Sequence, residues 1–156
     1  MRKDLKLTGG APMRKDIRDA VFGNLKWDKE LSWWGTKLEL PPKNKIEVFI
    51  TPANDDTDID KLLETSKRGF LAIKKDEKRL REGAAAKLLK LHNESWNEGE
   101  PITKEQFMSK MRLESLGFYI GGIAEAYYND GDLFWGHSIS VSISKSGKIT
   151  DAGIEG

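Results

Sequence analysis

Residues 33–50 read WWGTKLELPPKNKIEVFI, and this stretch decides the fold class. Its first half alternates between two parities, one largely apolar and one largely polar. The first parity comprises Trp34, Thr36, Leu38 and Leu40, and the second comprises Trp33, Gly35, Lys37 and Glu39. After Pro41 and Pro42, the apolar residues Ile46, Val48 and Ile50 alternate in the same way. A period of two is typical of strands, so the stretch predicts two neighbouring strands with one buried face.

The chain on either side of this stretch predicts more strands and a central group of helices. Leu25 and Trp27 flank Lys26 in an earlier strand, and four further strands follow residue 115. The middle has a helical period from residue 59 to residue 96, with capping boxes predicted at Thr57 and Thr103. The sequence thus predicts an α+β fold: a mainly antiparallel sheet of about seven strands, three before and four after three helices that pack on it.

The bulk composition predicts a single cytoplasmic domain. The chain has 156 residues, no cysteine and no secretory signal. We interpret residues 1–18 as an arm, with a short strand at Leu5 and Leu7, and residues 19–156 as one globular domain. No apolar run is long enough to cross a membrane. Its 26 basic and 25 acidic residues make nucleic acid an improbable partner, because nucleic-acid affinity depends largely on phosphate neutralisation.

No motif establishes a catalytic or cofactor site, and we expect no cofactor or metal. Residues 136–140 (GHSIS) resemble a nucleophile elbow, but they continue as a strand and no histidine follows them. The only histidines, His92 and His137, lie far apart in sequence, and Asp130 and Asp132 lack the spacing of an EF-hand loop. The sequence therefore favours a domain that is not an enzyme, without excluding one.

Two groups of residues are candidate binding sites. Trp33 and Phe49 lie on the strand faces opposite the apolar parities, so they would form an exposed patch bordered by charge, unless the helices or the arm cover it. Asp132, Trp135 and His137 lie in one short stretch and could line a small-molecule pocket with acid–base capacity. The alternative for the second group is a purely architectural role.

Four segments together resemble a known bacterial and phage domain family. They are residues 22–28 (FGNLKWD), the pair Trp33 and Trp34, residues 114–119 (ESLGFY) and residues 132–139 (DLFWGHSI). The family, domain of unknown function 2262, would cover about residues 19–156. The resemblance implies a domain that folds alone and has no assigned activity.

The leading functional hypothesis is a non-catalytic module that binds another protein, for example an immunity or regulatory protein. It depends on the balanced charge, the five tryptophans and the lack of a convincing catalytic set. The alternative is a small-molecule sensor or an enzyme with its site near Asp132, Trp135 and His137. Fold alone does not decide between them.

Overall fold

The computed structural model describes residues 14–41 and 43–156, which form one sheet and its helices. The predicted strand at Leu5 and Leu7 and most of the predicted arm lie outside the described residues. The strands are β1 (Ile17–Asp19), β2 (Gly23–Asp28), β3 (Trp33–Leu40), β4 (Asn44–Thr51), β5 (Arg112–Tyr119), β6 (Ala124–Asn129), β7 (Ser138–Ile143) and β8 (Ile149–Glu155). The helices are α1 (Ile59–Lys75), α2 (Lys78–Leu91) and α3 (Lys104–Lys110), with a π-helical turn at His92–Trp96 and a 3-10 turn at Ile120–Gly122.

The eight strands lie in the sheet in chain order, from β1 at one edge to β8 at the other. Neighbouring strands are antiparallel except β4 and β5, which are parallel. A parallel pair needs a long crossover because both strands must run in the same direction. The three helices provide that crossover, so one insertion in the middle of an antiparallel meander accounts for the topology.

The predicted α+β class is confirmed, and the sheet has one strand more than predicted. The additional strand, β1, pairs Ile17 with Leu25 and Asp19 with Gly23. The arm predicted from the sequence, residues 1–18, included Ile17 and Arg18, which are the first two residues of β1. A strand of three residues is too short to show a period of two, so its pairing depends on β2 and not on a local signal.

The helix starts were predicted with mixed success. The capping box at Thr103 is confirmed: its hydroxyl accepts from the Gln106 N–H at 3.1 Å, and the Gln106 side chain accepts from the Thr103 N–H at 2.8 Å. The box at Thr57 is wrong by one residue, because Asp58 caps α1. The Thr57 hydroxyl instead accepts from the backbone N–H groups of Ala53 and Asn54.

The two faces of the sheet differ in composition. One face packs against the helices and supplies the core, including Leu25, Trp34, Val48, Leu116, Phe118, Ala126, Tyr128, Ile139 and Val141. We call the opposite face the open face, because no helix in the described residues packs on it. Strand parity places on it Trp33, Gly35, Lys37, Glu47, Phe49, Ser115, Gly117, Tyr119, Glu125, Tyr127, Ser138, Ser140, Ser142, Asp151, Gly153 and Glu155.

A buried carboxylate joins the edge of the sheet to α1. One oxygen of Asp19 lies 2.9 Å from the Lys67 ammonium. The other accepts from the backbone N–H groups of Val21 at 2.8 Å and Phe22 at 3.0 Å. Burial alone would raise the pKa of Asp19, but Lys67 and the two N–H donors together hold it below the ordinary value of 3.8.

We expect Asp19→Asn to lower the free energy of unfolding by about 1–2 kcal/mol near neutral pH. A carboxylate whose pKa is depressed by folding contributes stability above its unfolded pKa, and that stability is lost as the pH falls through its folded pKa. The difference between the two proteins should therefore shrink below pH 3.8. Urea unfolding across this pH range measures it, and a difference that does not change with pH would contradict the assignment.

Candidate functional site

Trp33 and Phe49 form an aromatic pair on the open face. Their ring centroids lie 4.3 Å apart with an interplanar angle of 33°. Phe49 lies opposite Gly35 in the register of β3 and β4, which makes Trp33 its diagonal neighbour. Gly35 has no side chain, and a Cβ at that position would lie 3.7 Å from the Phe49 ring. The two rings therefore pack against each other across β3 and β4.

Charged side chains and one exposed leucine surround this pair. A cleft of about 880 Å³ has Trp33 and Phe49 in its wall, together with Lys26, Asp28, Lys29, Glu30, Leu31, Lys37 and Glu47. Leu31, at the tip of the β2–β3 hairpin, is 54% exposed. The Asp28 carboxylate holds that tip by accepting from the Leu31 N–H at 3.0 Å. We call Leu31, Trp33 and Phe49 the aromatic patch. An apolar patch with a charged rim is the usual composition of an interaction surface.

Carboxylates with hydroxyl donors occupy the other half of the open face. The two oxygens of Glu125 accept from the hydroxyls of Tyr127 and Ser142, each at 2.7 Å. The Glu155 carboxylate accepts from the Ser140 hydroxyl at 3.0 Å. Glu125 and Tyr127 were not among the site residues predicted from the sequence. Their shared parity on β6 was the available signal, but only the register of β6 with β7 joins them to the serines.

Two tyrosines beside Glu125 remain protonated donors at neutral pH. Burial, the hydrogen bond to Glu125 and its negative charge raise the pKa of Tyr127 well above its ordinary value. Burial and the charge of Glu125 also raise the pKa of Tyr119. A phenol whose pKa is raised cannot serve as a base near pH 7. These residues therefore form a hydrogen-bonding surface around a carboxylate.

The loop between β6 and β7 is built around the buried carboxylate of Asp130, which is 2% exposed. One oxygen accepts from the Asp132 N–H at 3.1 Å. The other accepts from the N–H groups of Phe134 at 2.7 Å and Gly136 at 3.1 Å. Asp132 and Trp135 have φ of 68° and 58°, a left-handed conformation that is costly for a bulky residue. Asp130 therefore holds this loop in a conformation that its sequence does not favour locally.

The second predicted site is only partly assembled by this loop. Trp135 is 63% exposed, and its indole N–H donates to the Trp96 carbonyl at 3.2 Å. Trp96 also contacts His137, with the ring centroids 5.6 Å apart. The Nδ1 atom of His137 lies 2.6 Å from the Phe134 carbonyl and must donate, because a carbonyl only accepts. Asp132 lies exposed on the loop, and within the described residues its carboxylate makes no hydrogen bond to His137.

The two predicted groups of site residues lie far apart. Trp33 is on β3, whereas His137 directly precedes β7, four strands away in the sheet. With neighbouring strands about 4.8 Å apart, the two residues are separated by about 19 Å across the sheet. The structure thus brings Trp33 together with Phe49, and Trp135 together with His137 through Trp96, as two separate sites.

The residues that the structure describes give little support for a metal site, a membrane-spanning helix or a free basic surface. They hold no group of three or more histidine, aspartate or glutamate side chains suited to a metal ion. None of their helices is both long and apolar enough to cross a membrane. In the basic segment from Lys74 to Arg81, Arg79 donates to the Gly147 carbonyl and Arg81 pairs with Glu77 at 2.8 Å. These two cations are therefore engaged within the fold.

Comparison with known proteins gives one match. A family model described as "Uncharacterized protein conserved in bacteria (DUF2262)" matches residues 19–154. The chain belongs to this family. The matched range of the DUF2262 domain includes the aromatic patch, Glu125 with its hydroxyl donors Tyr127 and Ser142, and the loop between β6 and β7. No curated protein and no solved structure matches the chain.

Proposed function

We propose that this DUF2262 domain is a non-catalytic protein-binding module and that the aromatic patch anchors its partner. The observation that carries the proposal is the Trp33–Phe49 pair on the open face, with charged side chains around it. Tryptophan is enriched among the residues that dominate binding energies. The pair also lies on strands, so its geometry is largely fixed before binding and little conformational entropy is lost.

The proposed partner is a protein in the same cell, such as a toxin that the domain neutralises or an enzyme that it regulates. A chain without cysteine suits the reducing cytoplasm of a bacterium, whether the bacterium or a phage that it carries encodes the chain. The mixed charges around the patch also suit a protein surface. Such rims favour the correct partner over others through charge complementarity.

Native mass spectrometry of the domain purified gently from its own bacterium tests the proposal. We expect a second protein in fixed stoichiometry, which Trp33→Ala removes because truncating a central tryptophan typically weakens binding by about 2 kcal/mol or more. Trp135→Ala is the control, because it removes an exposed indole on a separate site, whereas Trp33 is half-buried. Retention of the partner by Trp33→Ala, or its loss only from Trp135→Ala, would contradict the proposal.

A small-molecule site at Trp96, Trp135 and His137 is the second candidate. The observation that favours it is an exposed indole in a left-handed conformation beside a histidine whose Nδ1 proton is fixed. Strain at a bulky exposed residue is common at ligand sites. This second candidate predicts a small-molecule adduct in the same mass spectra. His137→Asn should remove that adduct. An adduct-free wild-type protein would count against this candidate.

A further inference from the structure

We infer that the partner presents a cationic segment, bearing arginine or lysine, which crosses the open face from the aromatic patch towards Glu125 and Asp151. This inference rests on the proposed function, because it names the class of partner that the same surface recognises. It goes beyond the aromatic patch by assigning a role to the carboxylates and hydroxyls of strands β5–β8.

The two halves of the open face, the half around the aromatic patch and the half on strands β5–β8, differ in charge. Lysine and acidic side chains alternate around the aromatic patch. On β5–β8, by contrast, the charged side chains at open-face positions from residue 115 onward are Glu125, Asp151 and Glu155. The one base in these four strands, Arg112, begins β5 and pairs with Glu114 at 3.4 Å. A chain with a net charge of +1 thus presents an acidic surface here.

Neutral donors orient two of these carboxylates, those of Glu125 and Glu155. Among the described residues, no ion pair includes Glu125, Asp151 or Glu155. Each oxygen of Glu125 accepts one hydroxyl hydrogen bond. A carboxylate has about four acceptor positions, so Glu125 retains capacity for a two-pronged contact with a guanidinium. The hydroxyls hold the carboxylate in place without cancelling its charge.

Two tyrosine side chains lie beside Glu125 on the open face. The Tyr119 ring covers Gly117, since a Cβ on that glycine would lie 3.0 Å from the Tyr119 hydroxyl. Gly117 lies between Phe49 and Glu125 in the register of the sheet, so the Tyr119 ring that covers it links the two halves. A cation bound at Glu125 would approach the rings of Tyr119 and Tyr127, and such contacts are favourable.

The register gives the expected spacing of the partner's side chains. Phe49, Glu125 and Asp151 share one row across the sheet, each two strands from the next. Two strand spacings are about 10 Å, and a partner segment in the polyproline II conformation covers that distance in about three residues, with side chains three positions apart on the same side. The partner segment should therefore carry an apolar residue, then basic residues about three and about six positions away.

A selection with random 12-residue peptides displayed on phage tests the inference. Wild-type protein should select peptides in which an apolar or aromatic residue and basic residues follow this spacing. Combined Glu125→Gln, Asp151→Asn and Glu155→Gln should weaken the binding of those peptides about tenfold, because the acidic charge that their basic residues contact is lost. The matched control, Asp56→Asn with Asp60→Asn and Glu105→Gln, makes the same change of net charge on exposed residues outside the open face and should leave binding unchanged.

The outcomes separate the inference from the proposed function. Peptides that depend on Trp33 but show no enrichment in arginine or lysine would overturn the inference and leave the binding module intact. Equal binding to the acidic-face variant and to its control would overturn it as well. A selection without Trp33-dependent peptides would overturn both. Urea unfolding of each variant establishes that a loss of binding does not reflect a loss of folding.

Discussion

Asp130→Ala is expected to lower the free energy of unfolding by about 3–5 kcal/mol, the largest effect of any single carboxylate in the described chain. The Asp130 carboxylate accepts three backbone hydrogen bonds and is 2% exposed. Its removal leaves those three N–H donors without their acceptor in a poorly hydrated site. The left-handed residues Asp132 and Trp135 would then lose the contacts that offset their conformational cost.

Two further variants make this prediction specific to the Asp130 carboxylate. Asp130→Asn keeps one acceptor oxygen and should give an intermediate loss. Asp132→Asn, next to it in the same loop, should change stability by no more than about 0.5 kcal/mol, because its exposed side chain is not an acceptor in this network and asparagine tolerates the left-handed conformation. Urea unfolding followed by tryptophan fluorescence measures all three. A loss for Asp130→Ala that does not exceed that of Asp132→Asn would contradict this account of the loop.

Trp34→Ala should destabilise the fold by about 3–5 kcal/mol, whereas Trp33→Ala should cost only about 1 kcal/mol. The two residues are adjacent in sequence but point to opposite faces of β3. Trp34 is 2% exposed, packs on Trp27 at 4.8 Å and donates to the Lys15 carbonyl at 2.9 Å. Trp33 contacts Phe49 on the open face and contributes little to the core.

The pair of variants separates stability from binding. Trp34→Ala acts through a cavity in the core, while Trp33→Ala yields a folded protein in which only the surface has changed. Denaturant midpoints and circular dichroism at 25 °C, measured side by side, check the difference. Comparable losses of stability for both variants would mean that Trp33 has a structural role and would remove the basis for its assignment as an anchor.

The parity of β3 and β4 allowed the main sheet to be predicted from sequence. Alternation is a local signal, so Trp33 and Trp34 could be assigned to different faces before any tertiary contact was known. The strand β1 could not be predicted in this way, because three residues carry no usable period and its pairing with β2 is tertiary. The cap at Asp58 was misplaced because Thr57 offers an equally suitable hydroxyl, which the structure uses within the preceding turn.

The geometry of the candidate site could be predicted only where it depends on strand parity. Trp33 and Phe49 could be placed on the open face because parity requires no knowledge of the register. Glu125 was missed because its partner Ser142 is joined to it by the pairing of β6 with β7. Asp130 was considered only as a metal ligand, and its three acceptor contacts depend on a loop conformation that no short-range pattern encodes. Local periodicity therefore predicts faces, while networks of hydrogen bonds follow from topology.

The most direct test of the central claim follows the five tryptophan indole N–H signals of the ¹⁵N-labelled domain as the purified partner is added. If the open face binds the partner through the aromatic patch, the Trp33 signal should shift together with the backbone signals of Phe49 and Glu125, while the Trp135 signal stays in place. A shift of Trp135 and His137 with an unchanged Trp33 would contradict the account and transfer binding to the loop between β6 and β7.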